Sequence, residues 1–153
     1  MTLEAGDRAP DFSLPSTQGA LRLSDLTADK KVLLAFYVED NTPLCSNEIS
    51  LLKEDYDLLE QLGVEVVGIS ADDLESHRRF AERLDGLPFP LACDESLEAA
   101  RAYGTLDESG KRSLRAVFVI DKGGAILHAV PWFQPGNPTQ YEEIFIALGF
   151  EVE

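Results

Sequence analysis

The sequence predicts an α/β fold, a central mixed β-sheet flanked by helices on both faces. Two observations carry this. Apolar, β-branched runs at 32–37, 64–70 and 114–121 read as strands covered on both sides. Between them lie stretches whose apolar residues recur at helical spacing, and strands that alternate with helices build such layered sheets. The last apolar run ends in Lys122-Gly123-Gly124 and is followed by 125–130, a hairpin pattern that adds an antiparallel edge. A chain of 153 residues, 44% hydrophobic, is long enough for one real core, so a single domain over 1–153 is expected.

Taken in order, 11–14 and 20–23 are short segments separated by Pro15, Ser16 and Gly19, which suits a small hairpin or edge addition. After the strand at 32–37 and a polar turn, a helix is predicted from Thr42 to about Leu62, stopped at Gly63. Leu44, Ile49, Leu52, Tyr56 and Leu59 are its expected buried face. The strand at 64–70 precedes a helix from about Leu74 to Leu84. Residues 88–93 leave room for only a short strand, and Ser96 to Tyr103 for a short helix. The chain closes with a helix from about Thr139 to Leu148. No repeat, low-complexity tract or linker suggests a domain boundary.

Charge narrows the function. Thirteen basic and 28 acidic residues leave a net charge of −15, which disfavours nucleic acid and anionic membrane as partners. No apolar run approaches the roughly 20 residues that span a bilayer. The first residues carry no signal-peptide pattern, and two cysteines make no disulfide framework. A reducing cytoplasm is therefore the expected location.

The chemistry concentrates after the first long strand. Thr42 suits a helix N-cap, its hydroxyl accepting from a first-turn N–H, and Pro43 suits the first helical position. Cys45 then falls third, where a capping box carries an acidic side chain and the helix end favours negative charge. Helix N-termini favour the thiolate, which is the nucleophile. Cys45 also follows a strand's carboxyl end, where ligands of such sheets gather. His77, among Glu75, Arg78 and Arg79, is expected on a solvated helix face, and His128 stands alone in the last strand. Two isolated histidines without clustered cysteines make no metal site. Trp132 and Phe133, before Pro135-Gly136-Asn137-Pro138, suit loop packing, an apolar lip near the site or a self-association surface, and Lys111 and Arg112 read as solubilising.

Four stretches in order resemble one family. GDRAPDFSL at 6–14, FYVEDNTPLCSNE at 36–48, FPLACD at 89–94 with AYG at 102–104, and RAVFVIDKGG at 115–124 are similar to the peroxiredoxins, thiol peroxidases of the thioredoxin-like fold. The resemblance is nearest to the bacterioferritin comigratory protein, or plant-type Q, branch. It implies that Cys45 is the peroxidatic cysteine and that Thr42, with first-turn N–H groups, binds the peroxide oxygens. It also implies that Arg115 keeps the thiolate charged and holds the substrate, that Pro43 shapes the start of the helix at the substrate site, and that Glu48 orients Arg115 through a charge-assisted bond. One departure is Val38, where the family usually has a proline that packs over the cysteine. The implied substrates are hydrogen peroxide and small organic hydroperoxides. The implied reductant is thioredoxin or a similar dithiol, with no cofactor, and by analogy with this branch the protein is a monomer.

What resolves the oxidised cysteine stays open. Many relatives in this branch carry a second cysteine five residues on, where this chain has Ser50. Cys93 is the other thiol, either a resolving partner reached after the Cys45 helix start unwinds, or a structural cysteine that packs as a small hydrophobe. In the second case an external thiol reduces Cys45 directly. A thioredoxin-type reductase would need Cys-x-x-Cys, and positions 42 and 48 are Thr and Glu. A non-enzymatic redox sensor would keep a reactive Cys45, whereas an inert binding module would not.

Overall fold

A five-stranded sheet in a computed structural model forms the centre of the described residues, 3–149. Its strands are β3 (Lys31–Phe36), β4 (Val64–Ser70), β5 (Leu91–Cys93), β6 (Ala116–Ile120) and β7 (Ile126–Val130), in the order β5-β4-β3-β6-β7. β3, β4 and β5 run parallel, while β6 and β7 are antiparallel additions, which is the mixed sheet expected. A separate two-stranded hairpin, β1 (Ser13–Leu14) and β2 (Leu21–Arg22), precedes it.

Side-chain alternation along the strands divides the core in two. Leu33, Ala35, Tyr37, Val66, Val117 and Val119 face one layer. That layer is filled from α2 (Pro43–Glu54), α3 (Tyr56–Gln61), α4 (Leu74–Arg83) and α6 (Pro138–Ala147) by Ile49, Leu52, Leu59, Phe80, Ile144 and Phe145. Val32, Leu34, Phe36, Val67 and Phe118 face the other layer. It is filled by Leu14 and Leu21 of the hairpin, Leu23 of α1 (Leu23–Leu26), and Ala99, Ala100 and Tyr103 of α5 (Glu98–Tyr103). Strands clad on both sides explain their continuous apolar runs.

Two expectations about the long helix are corrected. It is two helices, α2 and α3, broken at Asp55 (φ −99°, ψ 9°), and the Tyr141 hydroxyl on α6 donates to the Asp55 carboxylate at 2.6 Å. Leu44 is not in the buried face: it is 45% exposed, because the buried stripe of α2 runs through Cys45, Glu48, Ile49 and Leu52, and Leu44, next to Cys45, points away from it. Ile49 sits so closely on Gly68 of β4 that a Cβ there would lie 3.3 Å from its Cδ1 and 2.6 Å from Leu91 Cδ2. Gly68 is thus the notch into which α2 settles. Gly63, the expected helix stop, is left-handed at φ +75°, a conformation glycine adopts without steric cost. No helix among the described residues is long and apolar enough to cross a membrane.

Candidate active site

β3 leads through Tyr37–Asn41 into α2, whose N-cap is Thr42 and whose first residue is Pro43, as the sequence predicts. Cys45 is third in the helix and 1% exposed. Its Sγ accepts from the Val38 N–H at 3.3 Å. Val38 therefore contributes something the family's usual proline lacks, a backbone donor to the reactive sulfur. The first helical bond runs from Ser46 N to Thr42 O at 2.8 Å. The N–H groups of Leu44 and Cys45, in the opening turn, have no intrahelical acceptor and are available to an anionic or polar ligand.

Thr42 departs from the capping expectation. Its hydroxyl makes no cap bond and donates instead to the Glu39 carbonyl at 3.0 Å. The reason is local: Asn41 takes a left-handed conformation at φ 68°, which folds the turn back and brings that carbonyl under the hydroxyl.

Arg115 stands one residue before β6 and is partly buried. Its Nε donates to the Phe133 carbonyl at 3.4 Å, and the Phe133 N–H donates to the Arg115 carbonyl at 2.9 Å. Phe133 is buried, so the loop after β7 anchors the arginine, whereas Trp132 is 63% exposed. Glu48, one helical turn past Cys45, is wholly buried, and neither carboxylate oxygen has a hydrogen-bond partner. The expected charge-assisted bond to Arg115 is absent. Burial, then the charge of Cys45, push the Glu48 carboxyl well above the usual carboxylate range, while the Arg115 guanidinium pulls the other way. Burial outweighs the guanidinium, so Glu48 holds its proton more tightly than an exposed carboxyl does. A carboxyl that keeps its proton does not repel a thiolate.

His77 overturns its expectation completely. It is 0% exposed, with Nδ1 2.8 Å from Asp40 Oδ2 and Nε2 2.9 Å from the Ala92 carbonyl. A signal was present: Leu74, His77, Phe80 and Leu84 fall at helical spacing on one stripe. Asp40 carried no such sign, since it sits in a polar turn. Asp40, Asp72 and His77 bring ligand atoms within 4.8 Å of one another, but hydrogen bonds inside the cluster occupy those atoms. Arg112, read as solubilising, reaches Glu39 in the active-site loop at 3.2 Å.

Cys93 ends β5 and is buried, and both cysteines are free thiols. It lies on the same face of the sheet as Leu91, the face that α2 covers. Burial, then Glu95, Asp40, Asp73 and Asp72, push its thiol up to about 11. Its backbone N–H bonds the Pro15 carbonyl at 2.8 Å, tying β5 to the N-terminal hairpin.

Residues 5–129 match the AhpC/TSA family. The chain is 36% identical over 142 residues to peroxiredoxin Bcp of Escherichia coli, covering 88% of this chain and 90% of that one. It is 36% identical over 126 residues to peroxiredoxin 2 of Picrophilus torridus, where it spans 79% of this chain but 62% of the relative's length. Its fold is similar to the crystal structure of peroxidoxin BcpB from Mycobacterium tuberculosis. The TM-score there is 0.86 at 28% identity, over 96% of this chain and 97% of that one.

Proposed function

Since the chain belongs to the AhpC/TSA family, the peroxiredoxins, we propose that it reduces hydrogen peroxide and small organic hydroperoxides with Cys45 as the attacking atom. The observation that carries this is the placement of Cys45: a buried sulfur in the first turn of α2, accepting from Val38 N–H, among free first-turn donors. The thiolate attacks one peroxide oxygen and the O–O bond breaks. Sulfur keeps that oxygen as a sulfenic acid, and the other leaves with the bonding electron pair, taking a proton to become water or an alcohol.

Negative charge moves from sulfur to the leaving oxygen. Donors that need no reorganisation stabilise such a shift. The N–H groups of Leu44 and Cys45 supply two, and the Thr42 hydroxyl a third once it turns from Glu39. Pro43 sets the first-turn geometry. Arg115, always charged and multiply donating, balances the thiolate and holds the peroxide. Glu48, whose pKa burial raises, closes the buried side.

The sulfenic acid condenses with a thiol, releasing water and leaving a disulfide. Cys93 is our choice of resolving thiol, reached after the first turn of α2 unwinds, since a disulfide needs Cα atoms within about 7 Å. Thioredoxin or a similar dithiol then restores both thiols, in a cytoplasmic monomer. The height of the Cys93 thiol, about 11, favours a second reading in which an external dithiol reduces Cys45 directly. Intact mass with peptide mapping after one equivalent of hydrogen peroxide separates them. Loss of two hydrogens in a Cys45–Cys93 cross-link supports the first, and one added oxygen on Cys45 with Cys93 free supports the second. An unmodified Cys45 refutes the peroxidase reading.

A further inference from the structure

The loop between β3 and α2 carries Val38, whose N–H meets the Cys45 sulfur, and Thr42, the N-cap residue of the helix. A buried polar cluster holds this loop. The Asp40 carboxylate accepts from the Tyr37 hydroxyl at 2.7 Å, the Ser76 hydroxyl at 2.8 Å and His77 Nδ1 at 2.8 Å. The Asp40 N–H donates to Asp72 at 2.9 Å. Asn41, beside it, holds a left-handed conformation that persists only where its surroundings determine it.

The protonation of His77 follows from its partners. Nε2 faces a carbonyl oxygen, which only accepts, so Nε2 carries a proton. Nδ1 lies 2.8 Å from an Asp40 carboxylate oxygen and 3.2 Å from the Tyr37 hydroxyl, whose single proton is directed to Asp40 at 2.7 Å, so Nδ1 carries one too. We propose that His77 is a buried imidazolium and the positioning residue of the active site, latching the Cys45 loop through Asp40 to the Ala92 carbonyl beside Cys93. This rests on the reading of Cys45 as the reacting atom. Holding the latch keeps Cys45 under its loop for the reaction with peroxide; releasing it frees both the loop and the neighbour of Cys93.

The electrostatics agree with the geometry. Burial opposes the charge on His77, but the Asp40 hydrogen bond and charge, the Ala92 carbonyl and Asp72 outweigh it and raise its pKa. The titratable groups around it are Tyr37 and Asp40 from the end of β3 and Asp72 after β4. Glu95, Asp40, Asp73 and Asp72 also act on Cys93, next to the Ala92 carbonyl that His77 holds.

Imidazole 15N NMR of the reduced protein at pH 7.5 tests the charge directly. Two protonated nitrogens on a non-exchanging ring are expected, and a neutral ring with one protonated nitrogen overturns the proposal. Asp40→Asn and His77→Gln test the positioning role, because Gln carries its donors on a single nitrogen and cannot bridge the two acceptors as the two ring nitrogens do. In each folded variant, iodoacetamide should alkylate Cys45 roughly 10-fold faster, while its second-order rate with hydrogen peroxide falls roughly 10- to 100-fold, the scale of a misplaced reacting group. Opposite movements at one sulfur are the signature, since a merely structural role would not couple them. Both rates within 2-fold of the parent would overturn the latch. Should the variants not fold, the ring nitrogens alone decide. A parent that does not consume peroxide removes the peroxidase reading only, because neither the NMR nor the alkylation uses peroxide.

Discussion

Replacing Glu48 with glutamine should stabilise the protein at neutral pH, by an amount that grows with pH. Glu48 is wholly buried, both its oxygens lack partners, and its native pKa is raised. In the unfolded chain a glutamate titrates near 4.3. Above that pH the unfolded state releases a proton that the native state keeps, so unfolding gains free energy at about 1.4 kcal/mol per pH unit. The penalty accumulates until the native carboxyl itself ionises. A glutamine amide has no such proton to lose, so the difference between Glu48→Gln and parent should widen by up to about 1.4 kcal/mol per unit above pH 4.3. Urea unfolding at four values between pH 5 and pH 8 measures it. A Cys45→Ser background isolates the cause: burial is the largest contributor and remains, so the slope should persist there over a narrower range. A pH-independent difference in both backgrounds would show that burial does not raise the Glu48 pKa, and the reasoning would fail.

Other perturbations probe the frame and the chemistry. Gly68→Ala places a Cβ 2.6 Å from Leu91 Cδ2 and 3.3 Å from Ile49 Cδ1; it should cost about 1–3 kcal/mol by urea unfolding, and an unchanged midpoint would mean α2 is not seated by that notch. Asp94 accepts from Ala99 N at 3.0 Å and Ala100 N at 2.9 Å at the start of α5, so Asp94→Ala should lose about 1–3 kcal/mol. Asp94→Asn, which keeps an acceptor, should lose less, and equal losses would discount the cap. Thr42→Val should lower the peroxide rate roughly 100-fold or more, as removing a transition-state donor does. Thr42→Ser should retain most of it, and stopped-flow competition for peroxide reads both; an unaffected Thr42→Val would remove the hydroxyl from the mechanism.

The sheet was legible because both its faces are dry. A strand such as VEVVGIS at 64–70 has no polar side to confuse with a helix, and its Gly68 serves a contact rather than a turn. The order of elements and the place of Cys45 in α2 followed from Thr42 and Pro43, residues whose backbone preferences are local. What was not legible depended on partners distant in the chain. Leu44 looks like a core residue, but the buried stripe of α2 is set by Cys45, Glu48, Ile49 and Leu52, which leaves Leu44 to one side. The break at Asp55 coincides with a hydroxyl from Tyr141, 86 positions away. The charges of Glu75, Arg78 and Arg79 beside it in sequence mask the place of His77 on the apolar stripe. Its ion partner Asp40 is brought to it only by the packing of α4 against the end of β3. Buried polar pairs are the features least visible from one dimension, since burial of a charge is stable only with a partner.

The same residues decide how easily Cys45 can be exposed. Across 43–47, Pro43, Leu44 and Asn47 are already at least partly exposed, and only Cys45 is buried. Unwinding the first turn of α2 therefore gives up one small apolar side chain, about 1 kcal/mol, together with the Val38–Cys45 contact. Further opening would expose Glu48, whose hydration offsets lost packing, until Ile49 on Gly68 stops the unwinding. The apolar cost is low, so the polar latch at Asp40 and His77 controls the motion. Such a local opening exposes little surface, and the free energy of opening should hardly depend on denaturant. The alkylation rate of Cys45 in the reduced parent should thus stay flat with urea below the unfolding transition and then rise steeply. A rate that climbs with urea from the start, along the slope of global unfolding, would mean that the sulfur is reached only when the whole sheet opens, and the two-layer account of the site would be wrong.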